Sequence, residues 1–206
     1  YLPTEQYQTL EYQEAVVDSI KEKWLTYSRG NKFHAMFATS SIPEAVKYYQ
    51  LFKERMPELK VTALFDPTID NEGQKSLDKE DGVVDILRDY NNMFNQNYTI
   101  PTYSNFRKDV SQRLAHKSPY LNPKTDEQID LLIVVNQMLT GFDSKWVNTL
   151  YIDKMLVYEH LIQAISRTNR IYNNVEKPFG IIKYFRRPHT MKRNIEEAVK
   201  TYSGDI

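Results

Sequence analysis

The run Asp130-Leu-Leu-Ile-Val-Val135 constrains the fold more than any other stretch of this sequence. A short apolar run between polar flanks reads as a buried strand. Four weaker runs share its texture: Phe33–Thr39, Lys60–Phe65, Thr149–Ile152 and Phe179–Phe185. Helical patterns separate them. Ser41 is placed to cap a helix with Pro43 in its first turn and Glu44 closing a capping box, and Val46, Tyr49, Phe52 and Met56 then fall on one face. A second helix is expected from Glu159 to about Tyr172, and an amphipathic piece from Thr190 to Tyr202. Strands alternating with helices predict an α/β, doubly wound, three-layer domain with a mostly parallel sheet. Ligands of such sheets bind beyond the carboxyl ends of the strands.

Two regions sit outside that alternation. Glu5 to Ser28 reads as a lead-in helix, with Leu10, Val17 and Trp24 at sevenfold spacing beside Val16 and Ile20, and Gly30 as its stop. Asp66 to Gly82 reads as a polar loop, and Val83–Phe94 and Tyr103–His116 as helices around an Asn/Pro turn. The expected organisation is a lead-in helix over 1–30, an α/β core over 31–66 and 126–187, a helical insertion over 67–125, and the start of a further helical region over 188–206. Tyr1, in place of an initiator methionine, reads as the start of an excised fragment.

Charge and composition narrow the function. Twenty-seven basic residues against 27 acidic ones give a net charge of zero, which excludes a histone-like DNA-coating protein but leaves room for a few phosphate contacts. The absence of cysteine excludes disulfides, thiol nucleophiles and Cys-based zinc sites, and is compatible with the cytoplasm. The histidines at 34, 116, 160 and 189 lack metal-ligand spacing, so no metal site is expected. The glycines at 30, 73, 82, 141, 180 and 204 form neither a P-loop nor a G-x-G-x-x-G turn. No apolar run is long enough to cross a membrane. A self-sufficient NTPase or hydrolase is therefore not expected.

Three segments carry chemistry. Gln163, Arg167 and Arg170 can share one face of a helix, and two guanidinium forks suit phosphate oxygens. A lone R-x-x-R is ordinarily a solvated face, but here Leu161, Ile162, Ala164 and Ile165 surround the polar set. The strongest strand ends in Asn136-Gln-Met-Leu-Thr140-Gly141-Phe-Asp143, where Gly141 permits close approach and Asp143 can accept from a ribose or an arginine; a plain turn is the simpler reading of this segment taken alone. Thr39 and Ser40 place small hydroxyls before a helix, where they either meet a phosphate or merely cap.

Taken in order, the segments resemble motifs IV, V and VI of the second RecA-like domain of superfamily 2 helicases and translocases. Phe33 to Ser41 takes the place of motif IV, Leu132 to Asp143 is similar to motif V, and Gln163-x3-Arg167-x2-Arg170 is similar to motif VI. The stretches Val134–Asp143, Asn148–Lys154 and Leu161–Arg170 resemble the restriction (R) subunit of type I restriction–modification enzymes, as do Tyr90–Phe94 and Phe106–Leu114.

The resemblance implies a RecA-like domain from an ATP-dependent subunit that pulls double-stranded DNA and cleaves it. ATP would be shared with a first RecA-like domain, which would also hold Mg²⁺. A nuclease domain of the same subunit and separate methyltransferase and specificity subunits would be further partners, in the cytoplasm. By motif, Arg170 would be an arginine finger and Arg167 its companion; Gln163, Gly141 and Asp143 would face the nucleotide; Thr39, Ser40, Asn136 and Thr140 would be candidates for DNA contact. Val135 stands where many superfamily members carry a phosphate-binding threonine, and Ser166 where many carry glycine. The competing readings are a stand-alone nucleotide- or nucleic-acid-binding module, or an interaction domain of another superfamily 2 protein such as a type III restriction enzyme.

Overall fold

A computed structural model describes residues 4–65, 76–135, 144–156 and 158–203. Its centre is a five-stranded sheet: β1 (His34–Ala38), β2 (Val61–Leu64), β3 (Leu131–Val134), β4 (Val147–Ile152) and β5 (Ile181–Tyr184). The spatial order is β2-β3-β1-β4-β5 and every pairing is parallel. Phe37 of β1 aligns with Ile133 on one side and Tyr151 on the other. Strands β1 to β4 are buried along their whole length, as expected where both faces of a parallel sheet are covered. The edge strand β5 is half-buried.

Helices α1 (Leu10–Tyr27), α2 (Ile42–Arg55), α3 (Ser76–Phe94), α4 (Tyr103–Ala115), α5 (Tyr158–Thr168) and α6 (Pro188–Ser203) flank the sheet. Helix α2 seats Tyr48 and Phe52 against Phe37, at ring centroids of 4.6 and 5.6 Å. Helices α3 and α4 form the connection from β2 to β3. Their joint is a buried ion pair: Asp109 accepts from Arg113 Nε at 2.9 Å and from the Tyr90 hydroxyl at 2.6 Å, and the guanidinium lies 4.1 Å from the Phe94 ring centroid. Arg113 also donates to the carbonyl of Glu127 at 2.8 Å, which ties α4 to the chain entering β3. At the end of α4, His116 takes the left-handed conformation (φ 48°), stacks on Trp146 at 4.1 Å, and brings Nε2 to 2.7 Å from Nε2 of the buried His34.

Several elements differ from expectation. The lead-in segment opens with a 3-10 turn at Thr4–Gln8, and Thr9 then caps α1 by accepting from the Tyr12 amide at 3.3 Å. Leu10 is 61% exposed; the buried set of α1 is Val16, Val17, Ile20 and Trp24, joined by Gln13. The capping box of α2 is half made. Ser41 Oγ accepts from the Glu44 amide at 3.4 Å, but the Glu44 carboxylate accepts from the Ser40 amide at 3.2 Å. Of the loop expected over 66–82, residues 76–82 are helical, and Gly82 lies inside α3. A Cβ there would come 2.7 Å from Val46 Cγ2, so glycine is what lets α3 approach α2. Helix α5 stops at Thr168, short of the expected Tyr172.

Candidate functional site

Beyond the carboxyl ends of β1, β4 and β5 lies a buried polar network that no local motif announces. Asp153, the residue after β4, is completely buried. It accepts from Arg186 Nε at 3.0 Å on Oδ1 and from Arg186 Nη2 at 3.0 Å on Oδ2, a fork geometry that matches both carboxylate oxygens. It also accepts from the hydroxyls of Tyr12 at 2.7 Å and Tyr48 at 2.6 Å. Burial and the Asp153 charge push both phenols far above their ordinary range, so they remain donors. Burial acts to lower the Arg186 pKa, but its bonds to Asp153 and the charge of Glu44 outweigh this and raise it. Arg186 then reaches Glu44 at 3.1 Å and Ser40 Oγ at 3.2 Å. The turn after β1 is thus fixed through Ser40 by two elements far away in sequence.

Thr39 and Ser40 therefore differ. Thr39 is completely buried, and its hydroxyl donates to the carbonyl of Ser41 at 3.3 Å. Ser40 is half-buried at the rim of the network. By sequence, the basic run Lys183, Arg186, Arg187, Lys192 and Arg193 reads as an addition to a DNA track or, more simply, as a solvated face; in the fold it divides. Arg186 is 5% exposed and internally paired, while Lys192 and Arg193 sit 4.0 and 3.9 Å from Glu196 and Glu197 on α6.

The expected nucleotide residues that the structure describes lie elsewhere. Helix α5 places Leu161 and Ala164 in the core, with Gln163 half-buried. Gln163 and Arg167 are on α5, but Arg170 lies beyond its end, so the three do not share one helical face. Thr168 abuts Gly180, where an added Cβ would meet the Thr168 carbonyl oxygen at 2.5 Å. Tyr172 packs on Phe33 and Trp146, the residues before β1 and near the start of β4, at 5.6 and 4.7 Å. Lys177, 1% exposed, donates to the carbonyls of Lys145 at 2.9 Å and Val147 at 2.8 Å. The segment after α5 is therefore pinned at the amino ends of the strands, and exposed Arg170 belongs to that pole. Asn136, Thr140, Gly141 and Asp143 fall outside the described residues, as does the Arg167 side chain.

The structure thus separates what the motifs list together. Ser40 is at the carboxyl pole of the sheet, and Arg170 at the amino pole. Sequence reasoning missed Asp153 outright and placed Arg186 in a solvated run. Among the described residues, no group of three or more His, Asp or Glu could hold a metal ion, and no helix is long and apolar enough to cross a membrane.

An all-parallel sheet in this order, flanked by helices, defines the RecA-like class of domain found in helicases. A solved structure described as Mss116p DEAD-box helicase domain 2 bound to an RNA duplex shares the fold, with a TM-score of 0.52 and 14% identity over 90% of this chain and 54% of that one. Residues 31–187 match the family described as type I restriction enzyme subunit R domain 3, and the chain belongs to that family. Among curated relatives, the SsaAORF53P endonuclease subunit of Staphylococcus saprophyticus is 37% identical over 198 residues, 92% of this chain and 20% of its own length. The SauCOLORF180P endonuclease subunit of Staphylococcus aureus (strain COL) is 34% identical over 184 residues, 86% of this chain and 19% of its own length. The chain thus spans about a fifth of the curated relatives it matches.

Proposed function

We propose that this chain is the second motor domain of the DNA-translocating and DNA-cleaving subunit of a type I restriction enzyme. The observation that carries the reading is the exposed position of Arg170, on a segment pinned at the amino pole and away from Ser40. A guanidinium held at a domain edge completes a site only when another surface closes on it. That is the requirement of a nucleotide site shared between two domains.

Hydrolysis of ATP held mainly by a preceding RecA-like domain, which also carries Mg²⁺, supplies the free energy. From this chain, Arg170 brings permanent positive charge to the γ-phosphate region, a contribution worth about 10³–10⁵ in rate for arginine fingers. Arg167 accompanies it, and Gln163, Gly141 and Asp143 complete this chain's nucleotide side. At the other pole Ser40 faces the phosphates of double-stranded DNA, with Asn136 and Thr140 as further contacts assigned by motif, while the hydroxyl of buried Thr39 serves the turn by donating to the Ser41 carbonyl. Zero net charge suits a domain that tracks a backbone with few contacts, since salt-sensitive affinity grows with each phosphate neutralised. The nuclease domain, the methyltransferase and specificity subunits, and a cytoplasmic setting complete the reading.

The test is DNA-stimulated ATP hydrolysis by the intact subunit carrying Arg170→Ala. Loss of at least about 10³-fold in rate, with the fold intact by circular dichroism, is expected. Hydrolysis near the parental rate would remove Arg170 from the mechanism. Hydrolysis by the 206-residue chain alone would overturn the shared-site reading.

A further inference from the structure

The amino pole holds a cation that the motifs do not assign. Lys145 is exposed, and its ammonium lies 5.1 Å from the Tyr172 ring centroid and 5.8 Å from that of Trp146. Its backbone carbonyl is fastened by the buried Lys177. Among the described residues no carboxylate is within ion-pair distance of it. Lys32 approaches the same Tyr172 ring at 5.1 Å, but is paired with Glu176. Lys145 is thus solvent-facing, set against two rings and, among the described residues, not ion-paired. A lysine on a free surface would lose rotamer entropy on meeting an anion, whereas one already braced by two rings loses less. Tyr172 is two residues past Arg170, so the same short segment carries both the exposed guanidinium and the ring that braces Lys145.

We propose that Lys145, set against the Trp146–Tyr172 ring pair at the pole where Arg170 lies, is a second cationic contact to the phosphate chain of the nucleotide. The proposal rests on the motor reading above. A phosphate chain fits the donors present, since an exposed ammonium and an exposed guanidinium at one pole supply charge and hydrogen bonds to its oxygens. Lys145 acts on binding alone, because its contact is equally available before and during hydrolysis.

The experiment is calorimetric titration of the intact subunit with a non-hydrolysable ATP analogue and Mg²⁺, for the parent, Lys145→Gln and Lys145→Arg. Lys145→Gln is expected to weaken the analogue about 5–10-fold and raise the KM for ATP similarly, with kcat within about twofold, the pattern of a uniform binding contact. Lys145→Arg should restore most of the affinity. Unchanged analogue affinity in Lys145→Gln overturns the proposal, including the case where that variant only lowers the urea midpoint. So does a selective loss of duplex binding with a salt dependence shallower by about one ion, which would assign the contact to nucleic-acid phosphate. If the parent subunit fails to bind the analogue at all, the motor reading falls and this proposal with it. If the parent binds it, Arg170→Ala abolishes hydrolysis and Lys145→Gln binds normally, only this proposal falls.

Discussion

Arg186 grips Asp153 with two nitrogens, Nε and Nη2, each 3.0 Å from its own carboxylate oxygen, 33 residues apart in the chain and almost out of contact with water. The pair joins the ends of β4 and β5, and through Ser40 and Glu44 it fixes the end of β1 as well.

Removing the cation leaves two carboxylates, Asp153 and Glu44, buried without their counter-charge. Arg186→Gln is expected to destabilise the chain by about 3–5 kcal/mol, the usual cost of breaking a buried ion pair from one side. The urea midpoint reads this directly. Arg186→Lys should recover part of the loss, since it keeps the charge but not the fork.

Tyr12 makes a direct hydrogen bond from α1 into the network. Tyr12→Phe removes a donor to a buried charged acceptor, for an expected loss of about 1.5–3 kcal/mol. Tyr48→Phe removes the other phenolic donor to the same carboxylate. In a double-mutant cycle the two losses should depart from additivity by at least about 0.5 kcal/mol, because they share one acceptor. Strict additivity would mean that the hydroxyls act independently.

Gly82→Ala should destabilise, against the rule that alanine improves a helix interior by up to about 1 kcal/mol. The added methyl falls 2.7 Å from Val46 Cγ2, and the β-branched Val46 has little rotamer freedom to yield. A loss of about 1–3 kcal/mol is expected from overpacking. Val46→Ala in the same chain should reverse the sign, and thermal unfolding of the single and double variants checks both.

The His34–His116 contact makes the fold acid-sensitive. Burial first, and then the neighbouring His116, lowers His34 from 6.5 to about 3; burial first, and then the Lys145 charge, lowers His116 to about 4. Both imidazoles are therefore neutral in the fold at pH values where the unfolded chain has already bound protons. The unfolded state holds more protons between pH 6.5 and about 4, so stability should fall steadily as pH drops through that window. Urea midpoints at pH 7.5, 6 and 5 measure the slope, and His116→Gln should flatten it.

The legible parts of this fold were those written in neighbouring residues. The apolar run ending at Val135, and Ser41 with Pro43 and Glu44, announced β3 and α2 because a few adjacent side chains decide whether such elements form. The limits of α3 and α5 were not legible, because tertiary contacts set them: Gly82 answers to Val46, and Thr168 to Gly180. Arg186 looked like one charge in a solvated run because its partners Glu44 and Asp153 lie 142 and 33 residues away. Arg170 was assigned by motif alone, and its separation from Ser40 follows from the direction of α5, which returns the chain to the start of β5.

That separation has a mechanical meaning. The five residues of β1, at roughly 3.3 Å each, put about 16 Å between Ser40 and the pole where Arg170 sits. Hydrogen-bonded parallel strands resist stretching over so short a span, and after a register shift at His34 the pairing of β1 with β4 runs on from Ala35 to Ala38. On the motor reading proposed above, a push delivered to one end would emerge at the other as rotation of the whole body, with the sheet as a stiff crank whose throw is set by its own length.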